Sequence, residues 1–481
     1  MVFPSLLLTP TPAYVYNEIS LRRELMRILF KNADILLRKE KGYETLKKAY
    51  LGVENDKIVY ISDKAPADSY DVIKDYSNKL LMPGLVNGHG HAAMTILRGV
   101  GSGLPLQEWL NDAIFPIEAK LTPNDVYVGT KLACLEMIAS GTTTFSDMYD
   151  FPYSVALAVA ESGIKANCCR TGLCTDFLPM SSPRFKETVS VAATLSGDIK
   201  VDEECERELK VKEFPKVLEA AIKDGRVRGD LSYHSEYLTT EEFVKGLADE
   251  NRKLNVCIQM HASETEKEVN ACKERHNGLT PIEYFEKNGV FENGNAYLAH
   301  CVHATDNDLD IMAKTNTSLI SNPSSNMKLA SGFAPIRKAL DKGINVGLGT
   351  DGCASNNNLD MFEEMHVLAL IQAGINRDPT NLSASEIIDM ATIGSAKAMH
   401  RYDIGKIEVG YKADIIALDL NKPHLIPNLD SASLIVYSAH GSDVCMTMVD
   451  GKILYEDGKF LSLDKEKIIK ETEEIVKRLY N

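Results

Sequence analysis

The sequence predicts an α/β protein in which a (β/α)8 barrel of the TIM type carries a small β-sandwich built from both ends of the chain. Three observations lead to this prediction. Counted from Leu85, the chain contains eight short strand-like runs, and helical patterns separate nearly all of them. Polar residues stand at the C-terminal ends of these runs, where a barrel of this type carries its active site. Short strand patterns also occur before residue 80 and return after residue 405, outside the barrel series.

Length and composition limit the class of protein. The chain has 481 residues, and 53 basic against 68 acidic side chains give a net charge of −15. This balance argues against binding to nucleic acid or to anionic membranes, which both require clustered positive charge. No apolar run is long enough to span a membrane. The ten cysteines are scattered and form no CxxC pair, which predicts reduced thiols and a cytoplasmic location.

The domain division follows the change of pattern along the chain. Residues 1–25 match no usable pattern and are treated as an extension of unknown structure. Strand patterns in 26–80 and 405–460 are assigned to the β-sandwich, and 81–404 to the barrel. The last segment, 461–481, has the charged amphipathic pattern of a C-terminal helix.

Within the barrel region, strands and helices alternate in order. The first strand ends in Asn-Gly-His-Gly-His, and the first helix begins at Pro123 with Thr122 as its N-cap. Further strands are predicted within residues 141–148, 165–172, 230–236, 255–263, 296–303, 317–323 and 344–351. Residues 176–212 form a less regular, charged insertion. A doubly wound sheet would also alternate strands and helices, but it would not collect polar residues at every strand end.

The residues at these strand ends have the chemistry of a metal site. His89 and His91 are two positions apart, so an extended strand points both side chains to the same face. His261 ends a later strand, and Asp351 ends the eighth in Gly-Thr-Asp-Gly. A catalytic zinc takes three or more nitrogen or oxygen ligands and keeps one position for water. An Asp before Gly is often only a turn residue, but the place of Asp351 in the strand series favours a ligand.

Glu264 lies three residues after His261, where a carboxylate can stand beside a metal and carry protons without binding the metal. A glutamate near the start of a helix also stabilises the helix dipole, and both readings stay open. The run 347–352 satisfies GxGxxG, but it comes late in the barrel series. It also lacks the acidic residue that would bind a ribose, so a dinucleotide site is not predicted.

Five segments together resemble the amidohydrolase superfamily. They are Pro-Gly-Leu-Val-Asn-Gly-His-Gly-His (83–91), His-Ala-Ser-Glu (261–264), His-Cys-Val-His (300–303), Ser-Asn-Met-Lys-Leu-Ala-Ser-Gly (325–332) and Gly-Thr-Asp-Gly-Cys-Ala-Ser-Asn-Asn (349–357). The branch resembled is that of 5′-methylthioadenosine/S-adenosylhomocysteine deaminases and triazine hydrolases, and the likeness extends from about Met26 to Tyr455. The resemblance implies one divalent metal per chain, with Zn²⁺ favoured and Fe²⁺ as the alternative. Its ligands would be His89, His91, His261 and Asp351.

The resemblance also implies catalytic and substrate-binding roles. Glu264 would relay protons, His300 would polarise the attacked group, and Asp351 would take the proton of water. Glu118 would accept ribose hydroxyls, and Arg170 would meet a carboxylate or other polar tail. The residues implied to contact the substrate are Glu118, Arg170, His234, Glu264 and Asp351. Two departures affect the substrate assignment: Ser321 stands where relatives often carry histidine, and the insertion at 176–212 is unusually long.

We therefore expect a metal-dependent hydrolytic deaminase of adenine nucleosides, such as 5′-methylthioadenosine, S-adenosylhomocysteine or adenosine. Ammonia and an inosine-type nucleoside would be its products. The alternatives are deamination of guanine or another free base, and hydrolysis of a triazine; neither needs a ribose-binding acid, so Glu118 discriminates. A non-catalytic assembly protein is disfavoured because the ligand set is complete. The expected partner is a small nucleoside, with neither nucleic acid nor membrane, and a homo-oligomer stays open.

Overall fold

The computed structural model describes residues 26–174 and 182–480. The predicted extension at 1–25 and a small part of the insertion at 176–212 lie outside the described residues.

The strands are, in chain order, β1 (Arg27–Lys39), β2 (Gly42–Glu54), β3 (Lys57–Ser62), β4 (Val72–Asp75), β5 (Lys79–Pro83), β6 (Leu85–Asn87), β7 (Thr142–Tyr149), β8 (Lys165–Arg170), β9 (Val227–Gly229), β10 (Leu231–Tyr233), β11 (Ile258–Ala262), β12 (Ala296–His300), β13 (Ser318–Ser321), β14 (Val346–Leu348), β15 (Ile415–Asp419), β16 (Val444–Val449), β17 (Lys452–Glu456) and β18 (Lys459–Phe460). The longer α-helices span Pro123–Ala139, Pro152–Ser162, Pro183–Leu195, Glu203–Leu209, Lys216–Lys223, Glu241–Leu254, Glu266–Arg275, Pro281–Lys287, Asp306–Lys314, Pro323–Lys328, Ile336–Asp341, Met361–Asn376, Ala384–Asp389, Ser431–Tyr437 and Lys465–Tyr480.

Strands from both ends of the chain share one sheet. Its order is β18-β17-β16-β15-β5-β1-β2-β3, and β4 pairs with β1. The two ends meet where β15 runs antiparallel to β5, with Ile415 opposite Pro83. Phe30, Ile35 and Met446 belong to the buried apolar cluster of this sheet. The division of these strands into two packed layers stays a prediction.

The remaining strands form two parallel sheets, in the orders β6-β7-β8-β9 and β10-β11-β12-β13-β14. The predicted fourth strand is split at Asp230, because the backbone turns from one neighbour to another there. The amide of Asp230 donates to Cys168 at 3.0 Å, whereas the amide of Leu231 donates to Cys257 at 2.9 Å. At the opposite edge, the amide of Gly88 donates to the carbonyl of Leu348 at 2.8 Å. The architecture is thus mixed α/β, and its two parallel sheets are separate ladders.

Helices follow the strands largely where the sequence predicts them. The helix Pro123–Ala139 begins with a capping box, in which Thr122 and Asp125 satisfy each other's backbone amides. The helical segment at 106–118 was not predicted. Its middle part, Trp109–Ile114, is a π-helix, and a short α-helical turn after it ends at Glu118. This segment carries Glu118 and several apolar side chains to the open ends of the parallel strands.

A buried ion pair fastens the mixed sheet to the parallel strands. The ammonium of Lys165, at the start of β8, lies 2.6 Å from Asp414 and 2.8 Å from Asp450. Because all three side chains are largely buried, removal of one partner would leave a costly unpaired charge. Among the described residues, no helix combines the length and apolar character needed to cross a membrane.

Candidate active site

Three histidines and one aspartate converge at the C-terminal ends of the parallel strands. His89 and His91 follow β6, His261 lies in β11, and Asp351 follows β14. Nε2 of His91 lies 3.2 Å from Oδ1 of Asp351 and 3.3 Å from Nε2 of His261. Nε2 of His89 lies 3.7 Å from the same Asp351 oxygen. The fold therefore brings together the four residues that the sequence assigns to a metal.

Hydrogen bonds fix the tautomers of two of these rings. Nδ1 of His91 is 2.6 Å from the carbonyl oxygen of Met148, and Nδ1 of His261 is 2.7 Å from that of His234. A carbonyl oxygen only accepts, so each Nδ1 carries a hydrogen, and Nε2 is the nitrogen that faces the centre of the site. Nε2 of His89 is buried and has no hydrogen-bond partner. The Nε2 atoms of all three histidines thus face one point.

The donor set fits a divalent cation. Burial lowers the pKa of His89 and of His261 well below the usual value, so both rings stay neutral and able to bind a metal. Ligands about 2.1 Å from one tetrahedral ion lie about 3.4 Å from one another. The spacings of 3.2 and 3.3 Å around His91 are close to that value. His91, His261 and Asp351 at this spacing, with Nε2 of His89 3.7 Å from the same Asp351 oxygen, have the composition of a catalytic zinc site.

The backbone and two serines hold Asp351 in place. The hydroxyls of Ser325 and Ser355 donate to Oδ2 of Asp351 at 2.6 and 2.9 Å, and the amide of Gly352 donates to Oδ1 at 2.8 Å. Asp351 itself has a φ of 61°, in the left-handed region, so the backbone of the aspartate is strained at this turn. Gly349 lets this strand end approach the first strand, because an added Cβ would lie 2.7 Å from the amide nitrogen of His89.

Glu264 and His300 stand beside the four converging side chains. Oε2 of Glu264 lies 3.9 Å from Nε2 of His300, and the hydroxyl of Ser331 is 3.4 Å from Oε1. Burial raises the pKa of Glu264, which favours the protonated carboxyl that can donate a proton. Nδ1 of His300 lies 2.8 Å from Oδ1 of Asn326. That contact orients the ring, so Nε2 points towards Glu264.

A cavity of about 380 Å³ opens above these residues. His91, His261, His300, Glu264 and Asp351 contribute to its lining. The volume lies within the range of about 300–1,000 Å³ that is usual for small-molecule sites. Much of the remaining wall is apolar, and the segment at 106–121 supplies Leu106, Trp109, Leu110, Phe115 and Leu121. The cavity can therefore hold a small, partly apolar molecule against the polar floor.

Two predicted substrate residues border this cavity. Oε1 of Glu118 accepts a hydrogen bond of 2.6 Å from the hydroxyl of Tyr149, and burial raises the pKa of Glu118 to about 6. Oε2 of Glu118 has no such partner among the described residues. The ring centroids of His234 and His261 lie 4.7 Å apart, and burial lowers the pKa of His234 to about 3. His234 is therefore neutral at physiological pH.

Arg170 is the exception among the predicted substrate residues. It ends β8 as expected, but its guanidinium does not line the cavity. Nη2 lies 3.1 Å from Glu187, and Nη1 pairs with Glu204. Both glutamates belong to helices of the insertion, and a buried guanidinium needs such partners. Arg170 is thus held by two ion pairs inside the protein, and its contact with a substrate tail stays a prediction.

Sequence reasoning missed the residues that hold the site residues in position. Tyr149 anchors Glu118, Asn326 orients His300, and Ser325 and Ser355 fix Asp351. Three of the four lie in the segments 325–332 and 349–357, which the sequence analysis had singled out without assigning roles to these residues. Tyr149 ends β7, and its position at the C-terminal end of a parallel strand is the signal that could have singled it out.

Two known proteins match the chain over almost its whole length. The chain is 41% identical over 458 residues to a 5-methylthioadenosine/S-adenosylhomocysteine deaminase of Acetivibrio thermocellus, covering 94% of this chain and 100% of that protein. It is 40% identical over 453 residues to a 5′-deoxyadenosine deaminase of Methanosarcina barkeri, covering 94% of this chain and 98% of that protein.

Two solved structures superpose on this chain over most of its length. An adenosine deaminase from Xanthomonas campestris with bound zinc superposes with a TM-score of 0.84 at 27% identity, covering 94% of this chain and 98% of that one. A triazine hydrolase from Arthrobacter aurescens superposes with a TM-score of 0.82 at 22% identity, over 94% and 99% of the two chains. This second likeness shows the fold alone.

The family itself is shown by the match along the sequence. The amidohydrolase family model matches residues 80–454, which include every residue that converges on the cavity floor. The resemblance found in the sequence motifs is thereby confirmed, and the chain belongs to the amidohydrolase family.

Proposed function

We propose that this chain is a metal-dependent hydrolase that removes the amino group of adenine nucleosides, releasing ammonia and an inosine-type nucleoside. The observation that carries the proposal is the convergence of His89, His91, His261 and Asp351 beneath a cavity that Glu118 also borders. A hydrolytic centre and a ribose-binding acid then face one substrate. Relatives about 40% identical over most of the chain carry the names of adenine-nucleoside deaminases.

The finer architecture proposed is a (β/α)8 barrel. The strands β6 to β14 supply eight barrel strands when β9 and β10 count as one interrupted strand. Backbone hydrogen bonds next to the breaks between the two parallel sheets support closure of the barrel. The amide of Gly88 donates to the carbonyl of Leu348 at 2.8 Å, and the amide of Leu231 donates to that of Cys257 at 2.9 Å. The domain division proposed stays that of the sequence, with residues 81–404 as the barrel and 26–80 with 405–460 as the β-domain.

The metal proposed is one divalent cation per chain, with zinc favoured because the adenosine deaminase from Xanthomonas campestris has bound zinc. His89, His91, His261 and Asp351 would hold it. When bound, such a cation supplies the Lewis acidity that makes water a nucleophile near neutral pH.

The side chains divide the proton transfers between them. Deamination requires water to lose a proton, a ring nitrogen to gain one, and the amino group to leave as ammonia. Asp351, whose carboxylate is held in one orientation by Ser325 and Ser355, takes one proton from the water and passes it to the amino group, which leaves as ammonia. The second water proton returns to Glu264 as the ring carbonyl forms. Glu264 gives a proton to the ring nitrogen beside the attacked carbon, a role that its raised pKa favours. His300, oriented by Asn326, stabilises the charge that develops at the attacked group.

Glu118 and His234 are assigned to substrate binding. Oε1 of Glu118 already accepts one hydrogen bond from Tyr149, and its remaining lone pairs are available to the ribose hydroxyls. Neutral His234 can either donate or accept a hydrogen bond at the cavity wall.

A substrate panel tests the proposal. Metal-loaded protein is incubated with 5′-methylthioadenosine, 5′-deoxyadenosine, adenosine, adenine, guanine and a chlorinated triazine, and the release of ammonia and chloride is measured. We expect the nucleosides to be deaminated far faster than free adenine or guanine. Faster release of ammonia from guanine, or of chloride from the triazine, would contradict the proposal.

A further inference from the structure

The carboxyl group of Glu264 has few contacts of its own. Within the part of the chain that the structure describes, its only hydrogen bond comes from the hydroxyl of Ser331, at a long 3.4 Å. Nε2 of His300 lies further away, 3.9 Å from Oε2. A group that delivers a proton to one ring nitrogen needs a defined position. The position of this carboxyl group therefore depends on the backbone that carries it.

The backbone before Glu264 turns through a left-handed residue, Ser263, whose φ is 52°. The amides of Ser263 and Glu264 donate to the carboxylate oxygens of Glu268 at 3.0 and 2.7 Å. The amide of Thr265 donates to the same carboxylate at 3.4 Å. Successive amides beside a left-handed residue form a concave site for an anion. The buried carboxylate of Glu268 fills that site from within the chain.

This contact goes beyond an ordinary helix cap. Glu268 belongs to the capping box of the helix Glu266–Arg275, whose N-cap is Thr265. Among the described residues, four other α-helices begin with capping boxes, which are Thr122/Asp125, Thr280/Glu283, Thr305/Asp308 and Ser383/Glu386. In each of them the carboxylate accepts one backbone amide, that of the N-cap residue. Glu268 instead makes its two shorter bonds to the residues before its N-cap, and so it holds the turn as well as the helix.

We propose that Glu268 is a positioning residue for the deamination, because it fixes the turn at Ser263 and thereby holds the carboxyl group of Glu264 at the ring nitrogen that Glu264 protonates. This inference rests on the proposed function and deepens it. Without the Glu268 carboxylate, the buried amides of the turn would lack an acceptor, and the turn would relax. A displacement of about 1 Å near the reacting atoms can slow an enzyme roughly a hundredfold. The loss should fall on kcat, since the ribose is bound by a different segment, the one that carries Glu118.

Glu268→Gln tests the assignment, and Glu283→Gln is its matched control. Glutamine has the size of glutamate but one acceptor oxygen, so it cannot accept both short bonds of the turn. Glu283 caps the next helix and does not border the cavity. Metal-loaded proteins are compared with 5′-methylthioadenosine at about pH 8, above the value of about 7 to which burial raises the pKa of Glu268. For Glu268→Gln we expect kcat to fall about 10- to 100-fold, with KM within about threefold and the metal content unchanged. The control should keep kcat within about twofold.

A double-mutant cycle separates positioning of Glu264 from general damage to the site. If Glu268 acts through Glu264, adding Glu268→Gln to the Glu264→Gln variant should lower kcat by less than about threefold. A residue that only supported the fold would lower kcat by the same factor in both backgrounds. Glu268→Asp is the second variant, which keeps the charge but is one methylene shorter. Because its carboxylate cannot reach the whole turn, it should also lose kcat at unchanged metal content.

Several outcomes would overturn the inference. They are an unchanged kcat in folded Glu268→Gln protein, an equal loss of kcat with and without Glu264, and a loss of kcat that follows a loss of metal. Failure of both Glu268 variants to fold, while Glu283→Gln folds, would assign Glu268 to the fold alone. None of these results touches the proposed function, because the unmodified protein would still deaminate the nucleoside. If unmodified, metal-loaded protein released no ammonia from any nucleoside, the proposed function would fail and the inference with it.

Discussion

Replacing Glu118 with glutamine removes a negative charge from the cavity wall while the size of the side chain stays the same. Oε1 of Glu118 accepts the hydroxyl of Tyr149 at 2.6 Å, which leaves Oε2 and one lone pair of Oε1 for the ribose hydroxyls. In the Glu118→Gln variant, the carbonyl oxygen can keep the bond from Tyr149. The amide nitrogen then faces the ribose and can only donate.

The expected loss follows from the strength of the hydrogen bonds involved. A hydrogen bond to a charged acceptor contributes about 1.5–3 kcal/mol, roughly twice the contribution of a neutral one. With one such bond lost and the other weakened, the transition state for adenine nucleosides should lose about 2–4 kcal/mol of stabilisation. The value of kcat/KM should therefore fall roughly 30- to 1,000-fold. Free adenine has no ribose, so its slow deamination should change by less than about threefold.

The assay compares ammonia release from 5′-methylthioadenosine and from adenine, using both proteins loaded with equal metal. Tyr149→Phe is the matched control, because it keeps the carboxylate and removes only its anchor; a smaller loss is expected. If Glu118→Gln slowed adenine as much as the nucleoside, Glu118 would act on the chemistry or the fold instead of on the ribose. The assignment of Glu118 would then be refuted.

Four further predictions concern the metal, the proton transfers and the pH dependence. Glu264→Gln should keep its metal while kcat falls by about 10²–10⁴-fold, the usual size of general acid–base catalysis; loss of metal would mean that Glu264 is a ligand. His261→Ala should lose both metal, measured by elemental analysis, and activity, and retention of full metal would remove His261 from the ligand set. Asn326→Ala should lower kcat about tenfold at unchanged metal content, and Asn326→Asp, which keeps an oxygen acceptor for His300, should recover much of it. Because burial raises the pKa of Glu118 to about 6 and the ionised form accepts the ribose hydroxyls, KM for nucleosides should rise as the pH drops below about 6; the Glu118→Gln variant should lack this rise.

The parallel strands and the side chains that converge at their ends could be predicted because their signals are local. His89 and His91 converge as expected from their spacing, although they follow the end of β6 and do not lie in the strand itself. The same holds for the helix that begins at Pro123, since its N-cap, Thr122, lies beside it in sequence. For His261 and Asp351, position at a strand end was enough, because parallel strands bring their C-terminal ends to one side of the fold.

Contacts between distant segments could not be predicted in this way. The pattern around Arg170 indicated a cation at a strand end, but its partners Glu187 and Glu204 come from an insertion whose packing has no local signature. The π-helix at Trp109–Ile114, which leads towards Glu118, was missed because its mixed apolar and polar residues show no clear helical period. The interruption at Asp230 depends on which neighbour each amide faces, and that choice is made only in the assembled sheets.

Deamination in heavy-oxygen water tests the central claim most directly. Metal-loaded protein is incubated with 5′-methylthioadenosine in that solvent. The molecular mass of the nucleoside product is determined by mass spectrometry, and the released ammonia is measured in parallel. Hydrolytic deamination predicts one heavy oxygen in the base of the product for each ammonia released, with both lost after metal removal by a chelator and restored by Zn²⁺. Recovery of unchanged nucleoside from folded, metal-loaded protein, or ammonia release without heavy oxygen in the base, would contradict the claim.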